Sequence, residues 1–203
     1  MKLVVEKLGA ERGGRAVFSG LSFVVEAGAL LRVSGANGAG KTTLLRILSG
    51  LGAASEGSTT WHGAHGIVSS AEAACFVGHA NAFNDALSVR ENLTYAAALA
   101  GINGSLDIKS ALDVFGVKSL INRRFGTLSQ GQRKRCSLAR LLLDSRRSGR
   151  AWLLDEPFVA LDVYTQAQLA GVISTELAAG GLVIYTSHQV VKINAINTQE
   201  VAL

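Results

Sequence analysis

Residues 35–42 of this 203-residue chain read Gly35-Ala36-Asn37-Gly38-Ala39-Gly40-Lys41-Thr42, and no other stretch restricts its possible folds as strongly. Glycines let backbone N–H groups close around phosphate oxygens, because no Cβ stands between chain and ligand. A lysine then supplies a full charge to the outer phosphates, and a following hydroxyl suits magnesium. The flanks have the required character. Ala29 to Ser34 is a short apolar run that reads as a buried strand. Leu44, Leu45 and Leu48 fall on one face of a helix over Thr42 to Leu48, stopped by Gly50. A helix so placed points its positive end at the same anion. Gly35, Ala36, Asn37, Gly38, Ala39, Gly40, Lys41, Thr42 and Thr43 are therefore the candidate phosphate-binding set, with Lys41 expected on the solvent side of the loop.

The remaining pattern alternates strands and helices. Leu3 to Leu8 and Leu21 to Glu26 read as strands joined by a turn at Gly13-Gly14, and Ser58 to His62 and Ala74 to Val77 as further strands. Ser88-Val89-Arg90-Glu91 is a capping box opening a helix that closes at Gly101. Ser110 to Phe115 and a long basic stretch, Gln130 to Leu143, read as helices. Ala151 to Leu154 is a strand, Tyr164 to Leu177 a helix, and Leu182 to Tyr185 a strand. This order predicts an α/β fold with a mostly parallel central sheet. The helical middle, about 84–143, reads as a lobe inserted into one domain spanning 1–203.

Composition narrows the class. Hydrophobic residues make up 48% and charged residues 17%, which excludes disorder. No apolar run approaches the ~20 residues of a membrane span. The start, Met1-Lys2-Leu3-Val4-Val5-Glu6, meets a carboxylate too early for a secretory signal. Two cysteines, Cys75 and Cys136, stand far apart in no metal spacing and read as small hydrophobes of a reducing compartment. The net charge of +5 suits nucleic acid, a membrane surface or an anionic ligand, and does not choose among them.

Two further motifs carry chemistry. Trp152-Leu153-Leu154-Asp155-Glu156-Pro157 is an apolar strand ending in two carboxylates. Beside a phosphate-binding loop, Asp155 is a candidate magnesium ligand, and Glu156 can polarise an attacking water. By itself the pair could equally be solvated. Leu128-Ser129-Gln130-Gly131-Gln132 heads the basic stretch, where Ser129 reads first as an ordinary helix cap and only second as an anion site. Arg133, Lys134, Arg135 and Arg140, with Arg146, Arg147 and Arg150 beyond, form the densest basic run. No aromatics interleave with it, so a nucleic-acid partner is not expected. His62 and His65 read as a surface turn rather than a metal or haem site.

Taken in order, the loop at 35–42, Leu128-Ser129-Gln130-Gly131-Gln132, Leu153-Leu154-Asp155-Glu156-Pro157, Ala160-Leu161-Asp162 and Ser187-His188 closely resemble the ABC-type ATPase family over nearly the whole chain. The resemblance implies a P-loop NTPase, RecA-like lobe with an inserted helical lobe. It implies ATP and Mg2+ as ligands, and a second copy of the chain that sandwiches ATP with the first. Ser129 and Gly131 would then meet the γ-phosphate held by the other copy, and Asp162 would lie between copies. Glu156 would be the general base, and His188 would contact the γ-phosphate.

Narrower segments, Phe18-Ser19-Gly20-Leu21-Ser22-Phe23, Gly78-His79, Asp155-Glu156-Pro157-Phe158 and Gly181 to Gln189, are similar to the branch of that family serving haem export in c-type cytochrome maturation. The early stop after His188 also suits that compact branch. The branch implies separate transmembrane subunits as partners. It also implies a peripheral location on the cytoplasmic face of the inner membrane, or a mitochondrial matrix face. The alternatives are an ABC ATPase for another transported substrate and a soluble, non-transport ABC ATPase acting on nucleic acid. Three positions depart from the general family pattern. Arg12 stands where most members carry an aromatic that stacks on adenine, leaving Phe18 as a substitute. Gln130 replaces the first signature glycine. His79 replaces a glutamine and is expected near the magnesium and γ-phosphate.

Overall fold

The computed structural model describes residues 1–78, 80–102, 106–143, 150–188 and 191–203. His79, Arg146 and Arg147, singled out above, lie outside the described residues.

The chain divides into two compact units, one formed by Met1–His79, Ser148–Pro157 and Ile173–Leu203, the other by Ala80–Arg147 and Phe158–Val172. The first unit carries two sheets. In one, β1 (Lys2–Arg12) and β2 (Arg15–Glu26) form an antiparallel hairpin, and β4 (Glu56–Gly63) and β5 (Gly66–Val68) extend it in the order β2-β1-β4-β5. The hairpin turns at Gly13 and Gly14, whose φ of 59° and 73° suit a two-residue loop. In the other sheet, β3 (Ala29–Ser34), β6 (Ala74–Val77), β7 (Ala151–Leu154), β8 (Leu182–Thr186) and β9 (Asn197–Ala202) run parallel in the order β6-β7-β8-β3-β9. Every residue of β7 and β8 is buried, as expected of parallel strands covered on both faces. The expected parallel centre is therefore present.

Helix α1 (Lys41–Leu48) follows β3, with Leu44, Leu45, Ile47 and Leu48 buried. These pack in one core with Leu3, Val5 and Leu8 of β1, Trp61 of β4, and Leu31, Val33, Leu153 and Ile184 of the parallel sheet. The Trp61 indole donates to the Leu48 carbonyl at 3.0 Å, satisfying a C-terminal group that the helix itself leaves open. Strands β5 and β9 and the short helix α2 (Ser70–Ala73) were not legible in the sequence. β9 carries Asn197, Thr198, Gln199 and Glu200 and is mostly exposed. It is a strand because β3 offers it a ladder from Ala29 to Ser34, not because of an apolar pattern.

The second unit is helical. Helix α3 (Val89–Leu99) opens with the expected capping box, Ser88 and Glu91 bonding reciprocally. Helix α4 (Ile108–Val114) is capped by Asp107. The long basic helix expected over Gln130 to Leu143 is instead two pieces, α5 (Gln130–Leu138) and α6 (Arg140–Leu143). At the junction the Leu142 N–H reaches the Ala139 carbonyl at 3.1 Å, a three-residue bond that tightens the turn. α6 packs on α3, α4 and α5. Helix α7 (Val163–Ala178) contributes residues to both units. Cys136 is buried and Cys75 half-buried. Burial pushes the Cys136 thiol up to about 12, so it packs as a small hydrophobe.

Candidate nucleotide-binding and hydrolysis site

The loop from Gly35 to Gly40 needs its glycines. Gly35, Gly38 and Gly40 have φ of 143°, 84° and 103°, a region L side chains rarely adopt. At Gly40 a Cβ would stand 2.5 Å from Val17 Cγ1 and 3.0 Å from Phe18 Cδ1. The start of β2 therefore lies directly over the junction of loop and helix. Gly40 caps α1 without a side-chain bond, and no acidic residue occupies the first turn. The helix N-terminus thus keeps N–H groups and positive potential for an anion.

Lys41 is buried, not solvent-side as its sequence position suggested; it is 8% exposed. Its ammonium folds back and donates to the carbonyls of Gly35 at 2.8 Å and Ala36 at 3.0 Å. A buried charge needs such partners, and the loop's own carbonyls supply them. Its Nζ also stands 3.4 Å from His188 Nε2.

Asp155 follows β7, one step beyond the pair Leu154–Tyr185 that registers β7 against β8. It is 1% exposed, and both carboxylate oxygens accept hydroxyl bonds. Thr42 Oγ1 donates to Oδ2 at 2.8 Å and Thr186 Oγ1 to Oδ1 at 2.8 Å. The paired hydroxyl and carboxylate of Thr42 and Asp155 are hard oxygen donors of the kind magnesium takes. Magnesium is usually held by one or two carboxylates together with substrate phosphates. Among the described residues no group of three or more His, Cys, Asp or Glu that could hold a metal occurs.

Glu156 has a left-handed backbone, φ 47°, and its N–H donates to Thr186 Oγ1 at 2.8 Å. Its Oε1 is buried without a hydrogen bond among the described residues and lies 3.4 Å from His188 Nε2. That contact is within ion-pair range but lacks hydrogen-bond alignment. A single imidazole nitrogen cannot accept from Lys41 and donate to Glu156 at once, so its tautomer selects one of the two. The His188 side chain is 47% exposed and that of Glu156 15%.

Lys41, Thr42, Asp155, Glu156 and His188 are thus brought together within the first unit. Arg12, also in that unit, ends β1 opposite Arg15 and is exposed, while Phe18 is half-buried against the core. Ser129, Gly131 and Asp162 belong to the second unit. Ser129 caps α5 in a capping box with Gln132, as its residue type alone suggested. A Cβ at Gly131 would stand 3.3 Å from the Ala160 carbonyl oxygen. The Thr165 backbone N–H, donating to Asp162 Oδ1 at 2.7 Å, holds the Asp162 carboxyl below its usual range, with smaller help from the Thr165 side chain and Arg135.

A family model described as ABC transporter matches residues 18–159. The chain belongs to the ABC transporter family. Its architecture is that of an ABC-type ATPase domain, with the expected P-loop fold. It is 43% identical over 97% of its length, and 94% of the relative's, to the cytochrome c biogenesis ATP-binding export protein CcmA of Albidiferax ferrireducens. To the protein of the same name from Aromatoleum aromaticum it is 45% identical over 92% of this chain and 88% of that one. A solved structure from Pyrococcus furiosus, described as an ABC transporter ATP-binding protein, superposes with a TM-score of 0.81 at 26% identity, covering 98% and 97% of the two chains. A dimeric ATP-binding cassette bound to ADP and phosphate has the same fold, with a TM-score of 0.77 at 18% identity over 92% of this chain and 88% of that one.

Two residues that sequence reading passed over stand out in this ABC domain. Thr186 joins Asp155 to Glu156. Its only signal in sequence is a polar residue at the end of an otherwise apolar strand. Arg133 lies in the dense basic run, which by itself gives no sign of a structural role. Its guanidinium is instead bound to the Gly126 and Leu128 carbonyls and paired with Asp85. Lys134 beside it is buried and Arg133 is half-buried, so neither is simply a solvated charge.

Proposed function

We propose that this chain is the ATP-hydrolysing subunit of a membrane ABC complex for haem delivery or export in c-type cytochrome biogenesis. The observation that carries the reading is similarity along nearly the whole chain to proteins named as CcmA export ATPases. A site with the parts hydrolysis needs supports it. The backbone N–H groups of 36–43 and the Lys41 ammonium bind the phosphates. Thr42 and Asp155 hold magnesium, which when bound supplies Lewis-acid charge to the phosphate oxygens. Glu156 takes a proton from the water that attacks the γ-phosphorus in line, and His188 orients the γ-phosphate. Phe18 and Arg12 are the candidates for the adenine, by stacking or cation–π contact.

A second copy completes each site. Ser129 and Gly131 of one copy face the γ-phosphate held by the other, and Asp162 lies between them. Among the described residues no helix is long and apolar enough to cross a membrane. Separate transmembrane subunits are the proposed partners, with the chain peripheral on the cytoplasmic face of the inner membrane. Affinity purification from native membranes tests the reading. Haem-handling membrane subunits should co-purify, and ATP hydrolysis should depend on them. Recovery with a permease for another substrate would overturn the haem assignment and leave the ATPase assignment standing.

A further inference from the structure

The hydrolytic site contains a residue whose work is done through its neighbours. Thr186 ends β8, is fully buried, and its one hydroxyl is used twice. As donor it meets Asp155 Oδ1 at 2.8 Å; as acceptor it takes the Glu156 N–H at 2.8 Å. The second bond falls on a residue with φ 47°. A non-glycine residue holds that conformation only when its surroundings over-determine it. The Glu156 Oε1 adds little such support: it is buried without a hydrogen bond among the described residues, with only His188 Nε2 at 3.4 Å beside it. The aim of the side chain is thus set by the backbone, and Thr186 holds that backbone. The same hydroxyl fixes the rotation of the Asp155 carboxylate, whose other oxygen meets Thr42.

We infer that Thr186 is a positioning residue that locks the magnesium-facing carboxylate of Asp155 and the water-facing carboxylate of Glu156 into one geometry. The inference rests on the proposed ATPase reading of the site. A hydroxyl is required, because only a group that donates and accepts together can serve both neighbours. A β-branched shape suits the strand, so valine keeps the packing and removes only the chemistry.

The test compares Thr186→Val and Thr186→Ser with the native chain, in the membrane complex for hydrolysis and in the isolated full chain for amide exchange and melting. Partners that orient a metal ligand typically matter about 10–100-fold for activity or metal affinity. Thr186→Val should lower kcat by about that factor with little change in the KM for ATP. It should also raise the magnesium concentration giving half-maximal rate and speed exchange of the Glu156 amide. Thr186→Ser should recover most of the rate and the amide protection. If the valine protein does not fold, Thr186→Ala takes its place. Native turnover and amide protection in the variant without the hydroxyl would overturn the inference. So would equal loss in the serine and valine variants, which would mark a packing role. The native complex and Glu156→Gln are the controls for the ATPase reading itself. An inactive native complex, or a fully active Glu156→Gln, sinks that reading, and the amide measurement still decides the role of Thr186.

Discussion

Arg133 Nη2 donates to the Gly126 carbonyl at 2.6 Å. Its Nε reaches the Leu128 carbonyl at 3.0 Å, its Nη1 lies 3.3 Å from Asp85 Oδ1, and its charge stands 5.5 Å from the centre of the Phe125 ring. Phe125 in turn meets Phe83 edge-on at 5.0 Å. One fork therefore ties the segment before α3 to the approach to Ser129. Lysine has a single nitrogen and cannot hold these partners at once. Arg133→Lys should lower stability by about 1–2 kcal/mol, read as a shifted midpoint in urea unfolding. An unchanged midpoint would show that the clamp is dispensable.

Lys41→Ala removes the charge proposed to meet the outer phosphates and leaves the Gly35 and Ala36 carbonyls without its ammonium. Turnover in the membrane complex should fall by about 10²–10³-fold, with weaker ATP binding by fluorescence titration and a fold retained by circular dichroism. Native hydrolysis rates would contradict the site assignment.

Glu156→Gln keeps the side chain's shape but cannot take a proton from water. ATP binding should survive, hydrolysis should stop, and the two-copy sandwich should accumulate. ATP at about 100 times its Kd favours the bound state by about 2.7 kcal/mol. Size measurement with and without Mg-ATP reads the outcome; a monomer in both conditions, at high protein concentration, would argue against shared sites.

Glu91 ionises more readily than an ordinary glutamate because the Ser88 side chain and then the Ser88 backbone N–H bond to its carboxylate. Glu72 at the start of α2 is lowered in the same way by Ser69. The folded value is depressed, so the stabilisation is complete above the unfolded value of about 4.3 and is lost as pH falls through the folded value. Melting temperature should drop across that acid range in the native chain. Glu91→Gln should flatten part of the drop, while an identical pH slope in the two proteins would refute the capping account.

What could be read from the sequence was mostly what short stretches decide alone. The glycines at 35, 38 and 40, the capping box at Ser88 and the apolar face of α1 are all local, fixed by backbone sterics and helical period within a few residues. The carboxylate pair Asp155-Glu156 was legible as a candidate because it ends an apolar strand in a chain that also carries the glycine-rich loop at 35–42. The sequence alone thus determined the α/β class, the glycine-rich loop between β3 and α1, and which carboxylates are the candidates for the site. Tertiary structure decided what depends on distant partners. β9 exists because β3 offers it a parallel ladder. Lys41 is buried because the loop folds its own carbonyls around the ammonium. Arg133 faces inward because Gly126 and Asp85 converge on it. Thr186 joins Asp155 to Glu156 only because β7 and β8 run parallel in a register that sets them side by side. No periodicity encodes such contacts, since a hydrogen bond across a sheet depends on strand order and register rather than on the residues that neighbour it in the chain.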